Sequence, residues 1–126
     1  MSKVIIVGTL AFDSIVTPYG NAVNILGGSA PYASLSALTK DIECAIISII
    51  GNDFTDEYLE IFRSRNIDIS AVQIDESGKS FFWSGKYHPN MKSRDTLETQ
   101  VNVLSKFNPN IPKNFVASDV LVLGNL

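Results

Sequence analysis

One cysteine among 126 residues leaves no thiol pair for a disulfide within the chain. That residue, Cys44, opens into the apolar run Ala45 to Ile50, where it reads as a reduced core thiol and points to a reducing, cytoplasmic setting. Histidine is as scarce. His88, beside Pro89 at a loop entry, has no second His or Cys near it to complete a metal site and is read as a surface residue. An excess of positive charge is missing too: ten Lys and Arg stand against thirteen Asp and Glu, for a net charge of −3. The cations are scattered, so no basic stripe follows a nucleic-acid backbone. The N-terminal apolar run, Val4 to Leu10, is too short to cross a bilayer and lacks the small-residue cleavage pattern of a signal peptide, so no membrane partner is expected.

What the sequence does have is a glycine turn that opens into a helix. In Leu26 to Lys40, Gly27 and Gly28 permit close backbone approach, Ser29 can cap a helix and Pro31 fits its first turn. Ala30, Ala33 and Ala37 recur at i, i+3 and i+7, a small-residue face that can lie on a sheet. The helix's amino end would then present N–H groups to hydroxyls or anions, although glycine pairs also make plain loop-to-helix joints. Upstream, Val4 to Gly8 is apolar on both faces, as a central parallel strand covered on each side would be. Asp13 is the first acidic side chain past that strand's carboxyl end, where open α/β sheets gather ligands; its other reading is a turn cap. Ile15 to Leu26 reads as a hairpin around Thr17-Pro18-Tyr19-Gly20.

Downstream, Glu43 to Ile50 is a second buried strand, ending at Gly51-Asn52-Asp53. With Asp53 as its cap, a helix is expected over 53–65, its stripe of Phe54, Tyr58, Ile61 and Phe62 belonging to the core. Ile69 to Ile74 reads as a strand, and Ser80 to Tyr87 as an antiparallel strand of a separate small sheet, with Phe81, Trp83, Gly85 and Tyr87 on one face. Asn90 to Lys106, with Leu97, Val101 and Leu104 at helical spacing, reads as a weak helix or irregular connector. Asp119 to Asn125 is a last apolar strand. A buried parallel strand with no helix after it to cover its face leads to the expectation of a portion of a larger fold.

The order of Val7-Gly8 with Asp13, then Gly27-Gly28-Ser29-Ala30 opening a helix, then Ile50-Gly51-Asn52-Asp53, resembles the N-terminal part of the PfkB, or ribokinase-like, carbohydrate kinases. The resemblance covers essentially the whole chain. It implies an α/β fold: a doubly wound, mainly parallel, Rossmann-like sheet with a small β-sheet lid, incomplete at the C-terminus. Residues 1–126 would form the N-terminal part of the kinase domain, with lid strands at about 13–26 and 69–87. It also implies ATP and magnesium as cofactors of the complete enzyme, held largely by a C-terminal half with a Gly-Ala-Gly-Asp type motif and its catalytic aspartate. Nothing like that motif occurs here, so neither a catalytic residue nor a bound cofactor is expected of this chain alone.

Carried over by residue, the resemblance makes Asp13 the carboxylate that hydrogen-bonds substrate hydroxyls, and Gly27 and Gly28 the turn lying against the substrate, with Ser29 beside them. Tyr32 stands where many members have an asparagine that contacts the sugar, replacing an amide with a phenol. Trp83 and Tyr87 lie on the strand resembling the lid, where rings could cover a ribose or base or make a hydrophobic contact instead. Asn125, at the end of the last strand, completes the expected substrate-binding set. Asn66 replaces the glycine usual before the second lid-side strand, and asparagine tolerates the left-handed backbone of such a helix end.

Two functions from different classes follow. In one, the chain is the acceptor-binding part of an ATP-dependent sugar or nucleoside kinase. In the other, it is a non-catalytic small-molecule-binding module or a dimerisation module, a homodimer forming through the β lid. A dinucleotide-binding Rossmann domain fits less well, because Gly8-Thr9-Leu10-Ala11-Phe12-Asp13 lacks the glycine spacing that cradles a pyrophosphate.

Overall fold

The computed structural model describes residues 2–126 and holds two four-stranded sheets. The first sheet contains β1 (Lys3–Val7), β4 (Glu43–Gly51), β5 (Val72–Asp75) and β8 (Val120–Leu123), all parallel, in the order β5-β4-β1-β8. Successive side chains of β1 and β4 enter opposite cores, which is why both strands are apolar at nearly every position. Ile6, Cys44, Ile46 and Ile50 meet Ala30 of helix α1 (Ser29–Leu38) and Phe62 of helix α2 (Asp56–Arg63). Ile5, Val7, Ala45 and Ile47 pack on Phe115 from the other side. Cys44 is the core residue expected, and burial pushes its thiol up. No helix among the described residues is long and apolar enough to cross a membrane.

The second sheet contains β2 (Ala11–Thr17), β3 (Gly20–Gly27), β6 (Phe81–Tyr87) and β7 (Arg94–Gln100), in the order β3-β2-β6-β7. The expected hairpin is present as β2 and β3. One face of this sheet is anchored in the first core: Phe12 of β2 lies 5.3 Å from Phe54 and 4.9 Å from Tyr58, ring centre to ring centre, and Phe82 of β6 packs on the same cluster. Phe54 and Tyr58 therefore belong to the core, as their helical spacing predicts.

Several expectations need correction. β6 runs parallel to β2 and antiparallel to β7, so it sits inside a mixed sheet and offers no free edge. The 69–74 strand belongs to the parallel sheet, because Val72–Asp75 pairs with Ser48–Gly51 of β4. Arg94–Gln100, read as helix or connector, is a strand whose side chains are all exposed. A strand wet on both faces carries no apolar alternation, so only its ladder with β6 defines it. Helix α2 starts after Thr55, and Asp53 instead accepts a hydrogen bond from the Ser80 amide at 2.9 Å. At the same joint the Gly51 amide donates to Ser80 Oγ at 3.0 Å and the Asn52 amide to the Gly78 carbonyl at 2.8 Å, fastening the end of β4 to the start of β6. His88 is engaged: its ring lies 3.0 Å from Ser93 Oγ and 3.0 Å from Asp95 Oδ2.

Asp75 closes β5. The Ser77 hydroxyl and amide, then Lys106 at 3.1 Å, hold its carboxyl down to about 2. A depressed carboxylate stabilises the fold above its ordinary value of 3.8, and that contribution disappears as pH falls through about 2. Asp75→Asn is therefore expected to lower the urea midpoint at pH 7 and to match the parent near pH 2. A gap of equal size at both pH values would remove the ionic explanation.

Candidate functional site

A cavity of about 520 Å³ opens between the carboxyl ends of β1 and β8, the amino end of α1 and the free face of the second sheet. A hollow of about 540 Å³ along the outer edge of β5 is no smaller, but is lined largely by apolar side chains such as Ile69, Val72 and Ile74. The first lies where a parallel sheet's topology gathers ligands.

Asp13 projects into the cavity from β2, directly opposite Trp83 of β6. Gly27 lies against its carboxylate: a Cβ at that position would come within 2.8 Å of Oδ1. Burial alone raises the pKa of Asp13, with no hydrogen bond or charge among the described residues acting on it. A carboxylate that is partly desolvated and unpartnered has its acceptor capacity open to a ligand.

The floor is a set of close backbone crossings. Gly28, at φ 93° and ψ 170°, is the N-cap of α1, and a Cβ on it would overlap the Thr9 carbonyl, which accepts the Ala30 amide at 3.2 Å. Ser29 does not cap the helix, contrary to expectation. Its hydroxyl donates to the Asn125 carbonyl at 3.2 Å, joined there by the Thr9 hydroxyl at 2.9 Å. Thus β8 is tied to the start of α1.

Of the expected residues, Asp13, Gly28, Ser29, Trp83 and Asn125 line this one cavity, and Gly27 packs behind Asp13. Tyr32 does not join them: it is 60% exposed and its hydroxyl donates to the Leu26 carbonyl at 2.9 Å. Arg94, which the sequence reading passed over, lines the cavity with its guanidinium 5.5 Å from the centre of the Trp83 ring. The turn-forming Pro89-Asn90 just after the β6 pattern was the available signal for a returning strand.

Among the described residues no three His, Cys, Asp or Glu side chains cluster to hold a metal. In the first turn of α1, Pro31 has no N–H and the Ala30 amide is taken by Thr9, so no row of free amides remains for phosphates. What the arrangement can do is accept hydrogen bonds from hydroxyls at Asp13 and cover the bound molecule with aromatic rings.

No family model matches the chain. The cytidine kinase of Thermococcus kodakarensis is 32% identical over 88 residues, 70% of this chain and 31% of the relative. The nucleoside kinase of Methanocaldococcus jannaschii, described as an archaeal member of the ribokinase family, shares the fold with a TM-score of 0.74 at 16% identity, over 98% of this chain and 44% of that one. The ribokinase of Cryptococcus neoformans, solved with ADP, gives 0.73 at 10% identity, over 98% and 42%. The chain thus spans from under a third to under a half of the proteins it matches. Sequence likeness to a kinase, together with the parallel sheet and second sheet shared with these neighbours, shows that the chain has the ribokinase-like fold over part of those proteins' length.

Proposed function

We propose that the chain supplies the acceptor side of an ATP-dependent kinase that phosphorylates a hydroxyl of a sugar or nucleoside, in the cytoplasm. The observation that carries this reading is Asp13: a carboxylate with no partner among the described residues, at the carboxyl edge of a parallel sheet, in a cavity roofed by aromatic rings. Each charge-assisted hydrogen bond from a sugar hydroxyl is worth roughly 1.5–3 kcal/mol. The kinase names of the relatives support the reaction class. Calorimetry of the chain with ribose and with cytidine tests it. Saturable heat from at least one, lost in Asp13→Ala, supports the reading; no heat from either defeats it.

The chain by itself is not a catalyst on this reading. Phosphoryl transfer needs groups that cradle phosphates, neutralise the transferring charge and orient the attacking hydroxyl, and the residues present supply only the hydroxyl-binding part. Incubation with ATP, magnesium and cytidine or ribose is expected to leave no phosphorylated product by mass spectrometry. Product formed in step with this protein would overturn the assignment.

A dimer through the second sheet is a further reading. Because β6 is interior, such a contact would use the outer strands β3 and β7, where Val23 is 73% and Leu97 58% exposed. Sedimentation that shows a dimer in the parent and a monomer in Leu97→Lys would support it, and a monomeric parent would end it.

A further inference from the structure

We propose that the indole of Trp83 is held flat as a stacking platform for the planar base of a nucleoside, and that Gly85, Thr96 and Arg94 are the residues that set this preference. The inference rests on the acceptor reading above and narrows it from sugars in general to nucleosides.

The platform begins with register. Trp83 pairs with Thr99 and Ser84 with Glu98, but Gly85 pairs with Thr96, so Leu97 is an extra residue in β7. A bulge of this kind re-aims every side chain beyond it. With even pairing, Gly85 would face Leu97 and Tyr87 would face Asp95. With the extra residue, Thr96 and Arg94 take those places on the face that carries Trp83 and Tyr87. A carboxylate is thereby exchanged for a guanidinium beside the cavity.

Three contacts then fix the ring. Gly85 is buried, and a Cβ on it would overlap the six-membered part of the indole, so the ring can lie down on this strand only because position 85 has no side chain. Thr96 Oγ1 accepts the indole N–H at 3.2 Å and sets its angle in the plane. The Arg94 guanidinium sits over the ring, 5.5 Å from its centre, and forms none of the ion pairs found among the described residues, so it is free to fold over a base laid on the indole. Both the ring and Arg94 line the cavity that holds Asp13. Since Asp13 and Trp83 are register partners on adjacent strands, their backbones are about 4.8 Å apart. Hydroxyls held at Asp13 therefore leave the attached base beside the indole. A free ribose offers the same hydroxyls and nothing to stack.

Trp83 is the chain's only tryptophan, so its fluorescence reports this site alone. Titration of the chain with cytidine, ribose and free cytosine, followed by fluorescence and calorimetry, is expected to show cytidine binding at least tenfold more tightly than ribose and quenching Trp83. Gly85→Ala and the near-isosteric Thr96→Val should each cut the cytidine-to-ribose ratio about tenfold; if Gly85→Ala fails to fold, Thr96→Val decides. A parent ratio near one, or a ratio unchanged in the folded variants, overturns the platform. Ribose that binds while neither cytidine nor cytosine quenches Trp83 also overturns it and leaves the acceptor reading standing. Quenching by cytosine with no binding of ribose, and with cytidine binding indifferent to Asp13→Ala, keeps the platform and removes the acceptor reading. Silence from all three ligands removes both.

Discussion

Gly28→Val is expected to destabilise the chain by about 3 kcal/mol or more, read as a fall in the urea midpoint. Two costs add. At φ 93° and ψ 170° the backbone occupies a region that is essentially restricted to glycine, where a β-branched residue is strained by its own Cβ. That Cβ would also overlap the Thr9 carbonyl, which is backbone and cannot swing aside. Moving Thr9 would break the hydrogen bond its carbonyl accepts from the Ala30 amide and shift the Thr9 hydroxyl off Asn125, so the start of α1, the end of β1 and the end of β8 would loosen together. Gly20→Val is the control: its would-be Cβ meets nothing within 4 Å, leaving only its own backbone strain. An equal loss in both variants would show that crowding at Thr9 contributes nothing.

The same position shows what the sequence can and cannot tell. Gly27-Gly28 before an alanine-faced helix is legible as a point where backbones approach, and α1 does lie on the sheet through Ala30, which is fully buried. What presses on Gly28 is not legible. The sequence suggests a ligand; the neighbour is the Thr9 carbonyl, a contact set by two chain segments meeting in space. The parallel strands β1 and β4 were readable because burial on both faces leaves a continuous apolar run. The strand β7 was hidden for the opposite reason: with neither face buried, its seven polar-rich residues carry no period, and its one apolar side chain, Leu97, falls at helical spacing with Val101 and Leu104 beyond the strand. Missing β7 meant missing Arg94 and Thr96. It also hid the bulge at Leu97, which only the pairing of two strands can define. That Asp13 would lie in the cavity was legible because topology marks the carboxyl end of a central strand. Tyr32 was placed by analogy of position, and its hydroxyl is already committed to Leu26.

Asp13→Asn is expected to move stability and binding in opposite directions. Burial raises the carboxyl's pKa above its ordinary 3.8, so the folded state favours the protonated form. A raised folded value is stabilising below the unfolded value, and that contribution is lost as pH rises through the folded value; at neutral pH the ionised, partly desolvated carboxylate is therefore a burden on the fold. A neutral amide of the same shape removes the burden. The variant should unfold at higher urea than the parent at pH 7, and the gap should close toward pH 3. Binding should change the other way, because an amide oxygen accepts hydroxyls without the help of charge. The difference is about 1 kcal/mol per hydrogen bond, or roughly thirtyfold weaker affinity when two hydroxyls are held. Retained carboxylates that weaken the fold are expected where a ligand supplies the missing partners. Urea midpoints at both pH values and calorimetry with cytidine and ribose decide the matter. A variant less stable than the parent at pH 7 would mean that the protein already satisfies this carboxylate, and unchanged affinity would mean that the acceptor is held elsewhere in the cavity.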